Sequence, residues 1–198
     1  MISLALVTLL APLLAQAAVV FLVQRAFTQV ALPTASVISG SFDGGMKRYD
    51  RAGSSGTCQG QTERGESDAV FILQPGATIS NVIIGADQAE GIHCRDVSYV
   101  IGGGAFHASD KIFQHNGGGT VSISNFYASD FGKLYRGCGN CSQSYRRNVI
   151  VNNARLEGGS SRVGINTNWG DTARFTNVCS TGSRPSLVSL ILLYYSTG

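Results

Sequence analysis

Four short segments of this 198-residue chain read alike: Ile79-Ser80-Asn81-Val82, Ile123-Ser124-Asn125-Phe126, Val151-Asn152-Asn153-Ala154 and Phe175-Thr176-Asn177-Val178. Each is a strand-like alternation that carries an asparagine. Successive asparagines lie 125 − 81 = 44, 153 − 125 = 28 and 177 − 153 = 24 residues apart, and the first interval is two steps of 22. Midway along it stands Gly103, in Tyr99-Val100-Ile101-Gly102-Gly103-Gly104, another strand running into a turn. One strand and one turn in every ~20–30 residues is the mark of a solenoid. Coils stacked about 4.8 Å apart bring equivalent side chains within bonding reach. An asparagine amide, with two donors and one acceptor oxygen, can then bond to its copy in the next coil. The pattern predicts an all-β parallel β-helix with little helix, strands of three to six residues, and Asn81, Asn125, Asn153 and Asn177 on one turn line. On pattern alone the competing architecture is a β-sandwich, since asparagine is common in ordinary turns.

Composition agrees. Charged residues make up 14% of the chain against a usual level of about 25%, and 25 glycines mark frequent chain reversals. A helical bundle is excluded. The net charge of +3 provides no polybasic surface for nucleic acid. Residues 2–15 are uncharged and mostly apolar, and Ala15-Gln16-Ala17 supplies a small-x-small cleavage site. Residues 1–17 therefore read as a secretory signal and 18–34 as an N-terminal segment. Residues 35–182 form one β-helix domain, and 183–198 an atypical apolar tail too short to span a bilayer. A secreted monomer free of the membrane after signal removal is expected. Five cysteines (Cys58, Cys94, Cys138, Cys141, Cys179) suit an oxidising compartment and leave one unpaired. Cys138-Gly139-Asn140-Cys141 reads as a local structural disulfide, because no second pair follows to complete a zinc site.

The motifs Ser41-Phe42-Asp43-Gly44-Gly45-Met46-Lys47-Arg48-Tyr49, Asn81-Val82-Ile83-Ile84-Gly85 and Gly91-Ile92-His93-Cys94 resemble those of the fungal and bacterial pectate lyases of polysaccharide lyase family three. The likeness continues through Ser109-Asp110-Lys111-Ile112-Phe113-Gln114-His115-Asn116-Gly117, Asp130-Phe131-Gly132-Lys133-Leu134-Tyr135-Arg136 and Gly164-Ile165-Asn166-Thr167-Asn168. It covers roughly residues 35–180 in the family's order. The resemblance implies a right-handed parallel β-helix, secretion, dependence on Ca2+, and eliminative cleavage of polygalacturonate (pectate).

Such a reaction removes the C5 proton beside a uronate carboxylate before O4 leaves, so cations must neutralise the carboxylate as charge builds. By motif position Lys111 is the candidate base, provided that neighbouring positive charge and desolvation let it shed its proton. Lys133 and Arg136 match the family's substrate-binding cations, the arginine fork being suited to a carboxylate. Lys111 and Lys133 are 22 residues apart, which would set them one above the other. Glu90 and Glu66 match acidic positions and are the candidate Ca2+ ligands. Asp110 and Asp87 are weaker candidates, read first as turn caps. His93, His107 and His115 have no metal-site spacing and read as structural.

One departure from the family pattern stands out. Only Arg95-Asp96-Val97-Ser98 joins the Ile-His-Cys segment to the Tyr-Val-Ile-Gly-Gly-Gly segment, where family members insert a tryptophan-containing strand followed by a Glu-Asp pair and a lysine. The tail after Cys179 also departs. A solenoid survives loss of a whole coil, because each repeat contacts only its neighbours. The alternative function is therefore a catalytically impaired β-helix that binds acidic polysaccharide or serves as a wall protein. A sandwich-type lectin module is the third and weakest reading.

Overall fold

A computed structural model describes residues 27–52, 65–86, 88, 90–143 and 145–181. The signal segment, Cys58, Asp87 and the apolar tail lie outside the described residues. The strands run in order as β1 (Gln29–Leu32), β2 (Ser36–Ile38), β3 (Ser41–Arg51), β4 (Ala69–Leu73), β5 (Thr78–Ile84), β6 (Glu90–Cys94) and β7 (Ser98–Ile101). There follow β8 (Gly104–Phe106), β9 (Lys111–His115), β10 (Gly119–Ser129), β11 (Lys133–Gly137), β12 (Arg147–Glu157), β13 (Ser161–Gly164) and β14 (Thr172–Thr181). Helix among the described residues amounts to two three-residue 3-10 turns, Glu66–Asp68 and Thr167–Trp169.

Every strand pairing is parallel. The chain alternates between two sheets as it climbs. The first sheet runs β1-β3-β5-β7-β10-β12-β14, with β8 beside β5 and β10; the second runs β2-β4-β6-β9-β11-β13. The result is a right-handed parallel β-helix of about five turns, and the sandwich alternative is excluded.

Equivalent residues of successive coils stack in columns. Ile79, Val100, Ile123, Val151 and Phe175 are register partners in the first sheet, and all are buried. Ile92, Phe113, Tyr135 and Val163 form the matching column in the second. Phe113 meets Phe126 edge-on across the interior with ring centroids 5.2 Å apart. Continuous apolar columns of this kind remove large side chains from water at every level, which is the main favourable term in such a fold.

The four asparagines occupy one turn line, each in the left-handed region: φ is 53° at Asn81, 55° at Asn125, 52° at Asn153 and 52° at Asn177. That conformation is costly for most L-residues and least so for asparagine and glycine. The amides also bond along the line. Asn177 Nδ2 donates to Asn153 Oδ1 at 2.5 Å, Asn153 Nδ2 to Asn125 Oδ1 at 3.3 Å, and Asn81 Nδ2 to Asp43 Oδ2 at 3.0 Å. In the intervening coil the bend falls to Gly102 and Gly103; a Cβ at Gly103 would lie 2.0 Å from the Val82 carbonyl oxygen. Strand length differs from expectation. β3, β10 and β12 each have eleven residues; in β10 and β12 pairing resumes at once beyond the bend, Ser124 with Asn152 on one side of it and Phe126 with Ala154 on the other, while β3 carries a bulge between Asp43 and Lys47.

Candidate functional site

The second sheet places the candidate residues. Glu90, Lys111, Lys133 and Ser161 open β6, β9, β11 and β13 and are direct register partners, so the 22-residue spacing of the two lysines does stack them. Three positions on, His93, Gln114, Arg136 and Gly164 form a second column. It alternates with the inward column of Ile92, Phe113, Tyr135 and Val163 and so lies on the outer face.

Glu90, Asp110 and Lys111 are each 1% exposed. Buried charges must be paired, and these are. Lys111 Nζ lies 2.5 Å from Asp110 Oδ2 and 3.2 Å from Glu90 Oε1. Asp110 Oδ1 accepts from Lys133 Nζ at 2.8 Å, and Glu90 Oε2 accepts from His93 Nε2 at 3.0 Å. Two carboxylates and two ammonium groups thus alternate in a neutral row. Asp110, expected as a turn cap, bridges the two lysines instead. His93, expected as structural, contacts Glu90 and takes an Asn116 amide on its other nitrogen at 3.3 Å. The immediate neighbours of the Lys111 ammonium include carboxylates, whereas the role of base calls for positive charge beside it.

Glu66 lies apart from this row, in the 3-10 turn before β4. Its carboxylate takes both the Arg95 Nη2 (2.5 Å) and Nε (3.2 Å), and that bidentate hydrogen bond holds its pKa below the usual carboxylate value. Arg136 is half-buried. It has no ion-pair partner among the described residues.

His115, also in β9, is structural. Its Nε2 donates to the Gly118 carbonyl at 2.8 Å and its Nδ1 accepts from the Tyr135 hydroxyl at 2.7 Å. Burial pushes its pKa down to about 4 and that of Tyr135 well above the ordinary phenol value. His107 pairs with Asp130 at the surface, 2.7 Å apart. Cys138 and Cys141 form the local disulfide, while Cys94 and Cys179 are free thiols. Burial raises Cys94 to about 12, so it stays protonated.

Calcium binds six to eight oxygens. All four oxygens of Glu90 and Asp110 are already engaged by Lys111, His93 and Lys133, and Glu66 is engaged by Arg95. No group of three or more acidic, histidine or cysteine side chains among the described residues is arranged to hold a metal ion. The donor set as it stands does not fit a calcium ion.

Comparison with known proteins bears on this crowding. The family model described as pectate lyase matches residues 22–98 and 95–188, two stretches that meet at the Arg95–Ser98 junction. The probable pectate lyase F of Aspergillus terreus is 49% identical over 173 residues, covering 74% of this chain and 73% of that protein. Pectate lyase H of Emericella nidulans is 48% identical over 166 residues, covering 71% of this chain and 63% of that one. In the first alignment the matched part of this chain is 0.74 × 198 ≈ 147 residues, so about 173 − 147 = 26 positions of the relative have no counterpart here. Glu90 to Lys111 is a coil step of 21 residues, so the deficit is about one coil. A coil inserted at 95–98 would stand between β6 and β9. Without it, Glu90 abuts Lys111. Among solved structures, pectate lyase PelI from Erwinia chrysanthemi matches with a TM-score of 0.55 at 21% identity, over 82% of this chain and 60% of that one. Its complex with tetragalacturonic acid matches with a TM-score of 0.54 at 22% identity, over 81% and 58%. These structural matches support the fold, and the family match together with the Aspergillus terreus relative places this β-helix by descent: the chain belongs to the pectate lyase family.

Proposed function

We propose that this chain acts outside the cell on the polygalacturonate of plant walls, cleaving the (1→4)-α-galacturonan chain by β-elimination. The observation that carries the proposal is the alignment of Lys111 and Lys133 on adjacent strands, with Arg136 three residues beyond Lys133 in β11, on the outer face and without an ion-pair partner among the described residues. Arg136 and Lys133 hold the uronate carboxylate, Arg136 through its fork. Lys111 takes the C5 proton. The C5–H electron pair becomes the C4–C5 double bond, and O4 leaves with the C4–O4 pair and gains a proton. The relative PelI has been crystallised with tetragalacturonic acid, which is the substrate class these cations suit. Secretion is supported by the apolar 2–15 segment with its Ala-x-Ala site and by the Cys138–Cys141 disulfide.

Lys111 must give up a proton that two carboxylates help to hold, so turnover is expected to be slow. Calcium is the cofactor that the family resemblance implies, and the residues described above do not by themselves form a site for it. With the four oxygens of Glu90 and Asp110 engaged by protein donors, its affinity here is expected to be millimolar or weaker. The same clamp on Lys111 favours a second reading, a β-helix that binds acidic polysaccharide without cleaving it.

The test is growth of ultraviolet absorbance from the unsaturated product on polygalacturonate. Lys111→Arg keeps a cation between the carboxylates but cannot serve as a base. It should abolish product formation and leave binding intact, whereas Arg136→Ala should lose both. Wild-type binding without product selects the second reading, and equal product from wild type and Lys111→Arg refutes Lys111 as the base.

A further inference from the structure

Two glycines in the motifs described above have no conformational reason to be glycine. Gly164 ends strand β13 and Gly139 sits inside the disulfide loop, and neither has a positive φ. Glycine in a strand weakens it, so close approach by another group is the usual explanation. At both positions the approaching group is the same side chain. A Cβ on Gly164 would stand 2.9 Å from Arg136 Cδ, 3.1 Å from Nη1 and 3.7 Å from Nε, its three nearest neighbours. On Gly139 it would stand 2.9 Å from Arg136 Nη2 and 3.8 Å from Cζ, with nothing else within 4 Å.

We infer that Gly164 and Gly139 are positioning residues that together form the seat of the Arg136 guanidinium. Gly164 is the register partner of Arg136 in the next coil and supplies the floor. Gly139 supplies the wall, and the Cys138–Cys141 disulfide closes the loop that carries it. The seat aims the guanidinium fork along the outer face, where a uronate carboxylate would meet it. A side chain with several rotatable bonds loses much of its freedom when held in this way, so fixing it beforehand lowers the cost of binding. This inference rests on the reading of Arg136 as the uronate-binding cation.

Because the atoms in the way belong to the far end of a flexible side chain, an alanine at either glycine should displace Arg136 rather than the backbone. Two measurements test the seat. The first needs no substrate: phenylglyoxal labelling of Arg136, followed by peptide mass spectrometry, with exposed Arg174 as reference. Gly164→Ala and Gly139→Ala should change the Arg136 rate severalfold, upward, and leave Arg174 unchanged. The second is trigalacturonate affinity by calorimetry, with thermal melts to confirm folding. Each alanine variant should weaken binding roughly three- to tenfold, the scale of one misplaced charge-assisted hydrogen bond. The loss should vanish when Arg136→Ala is already present, because the glycines act only through that residue. Unchanged labelling, or an affinity loss that persists in the Arg136→Ala background, overturns the seat. If Arg136→Ala itself leaves affinity intact, the functional reading of Arg136 fails, while labelling still decides whether the seat exists.

Discussion

The two sheets of the helix solve the same stacking problem with opposite chemistry. In the first sheet, β10 and β12 alternate between buried and more open positions, and an asparagine recurs at the bends of β5, β10, β12 and β14, with glycine taking that place in the coil between β5 and β10. In the second, every residue of β4, β6 and β9 is buried, and the column that opens the strands changes identity at each level: Ala69, Glu90, Lys111, Lys133, Ser161. Repetition serves a scaffold, because each copy makes the same bond to the next. A column of unlike charges is costly to bury, and it is found in the sheet that also carries Arg136, which has no ion-pair partner among the described residues.

The sharpest way to break this contrast is to remove the central cation of the charged column. Lys111→Met leaves Glu90 and Asp110 buried without their shared partner, and urea unfolding should show a loss of about 3–5 kcal/mol. Next is the buried histidine at the far end of the same strand, β9. His115 has a folded pKa of about 4 against an ordinary 6.5, a depression worth roughly 3 kcal/mol at about 1.4 kcal/mol per unit. Its contribution is fully present above pH 6.5 and is lost as pH falls toward 4, since the unfolded chain binds the proton first. His115→Gln should flatten that part of the stability profile relative to wild type.

Smaller effects belong to the asparagine line. Asn153→Ala keeps the backbone but pays for φ 52° and loses two ladder bonds, so it should cost about 1–2 kcal/mol, whereas Asn153→Gly should cost less. Calcium should have the smallest effect. At a concentration near a millimolar dissociation constant it stabilises by less than about 1 kcal/mol, so thermal melts with and without 1 mM calcium should nearly coincide. Micromolar saturation would show that further acids complete a site.

The asparagine line was legible in the sequence because repetition is itself a signal, and the stacking of Lys111 on Lys133 was legible because 22 residues is one coil. The partners of those lysines were not. Asp110 precedes Lys111 in a turn, and nothing in the sequence distinguishes a turn cap from a bridge to the coil above. Arg95 looked like mere linker, yet its reach across the coil takes Glu66 away from any metal. His93 meets Glu90 three residues back, where strand alternation alone would part them, because Glu90 sits at the corner where the strand begins. The eleven-residue strands are not legible because nothing in the sequence tells an asparagine that ends a strand from one that bends it, and in β10 and β12 it bends the strand.

A division of labour follows from the proposed function: the second sheet carries the chemistry and the first carries the scaffold. Its most direct test compares the rate of unsaturated product formation on polygalacturonate for Arg136→Ala and Asn153→Ala, both confirmed folded at the assay temperature. The expected result is a loss of roughly a hundredfold for Arg136→Ala, the scale of a charge-assisted contact to the reacting uronate, and a rate within about twofold of wild type for Asn153→Ala. Equal losses in the two variants, or full activity in Arg136→Ala, would contradict it.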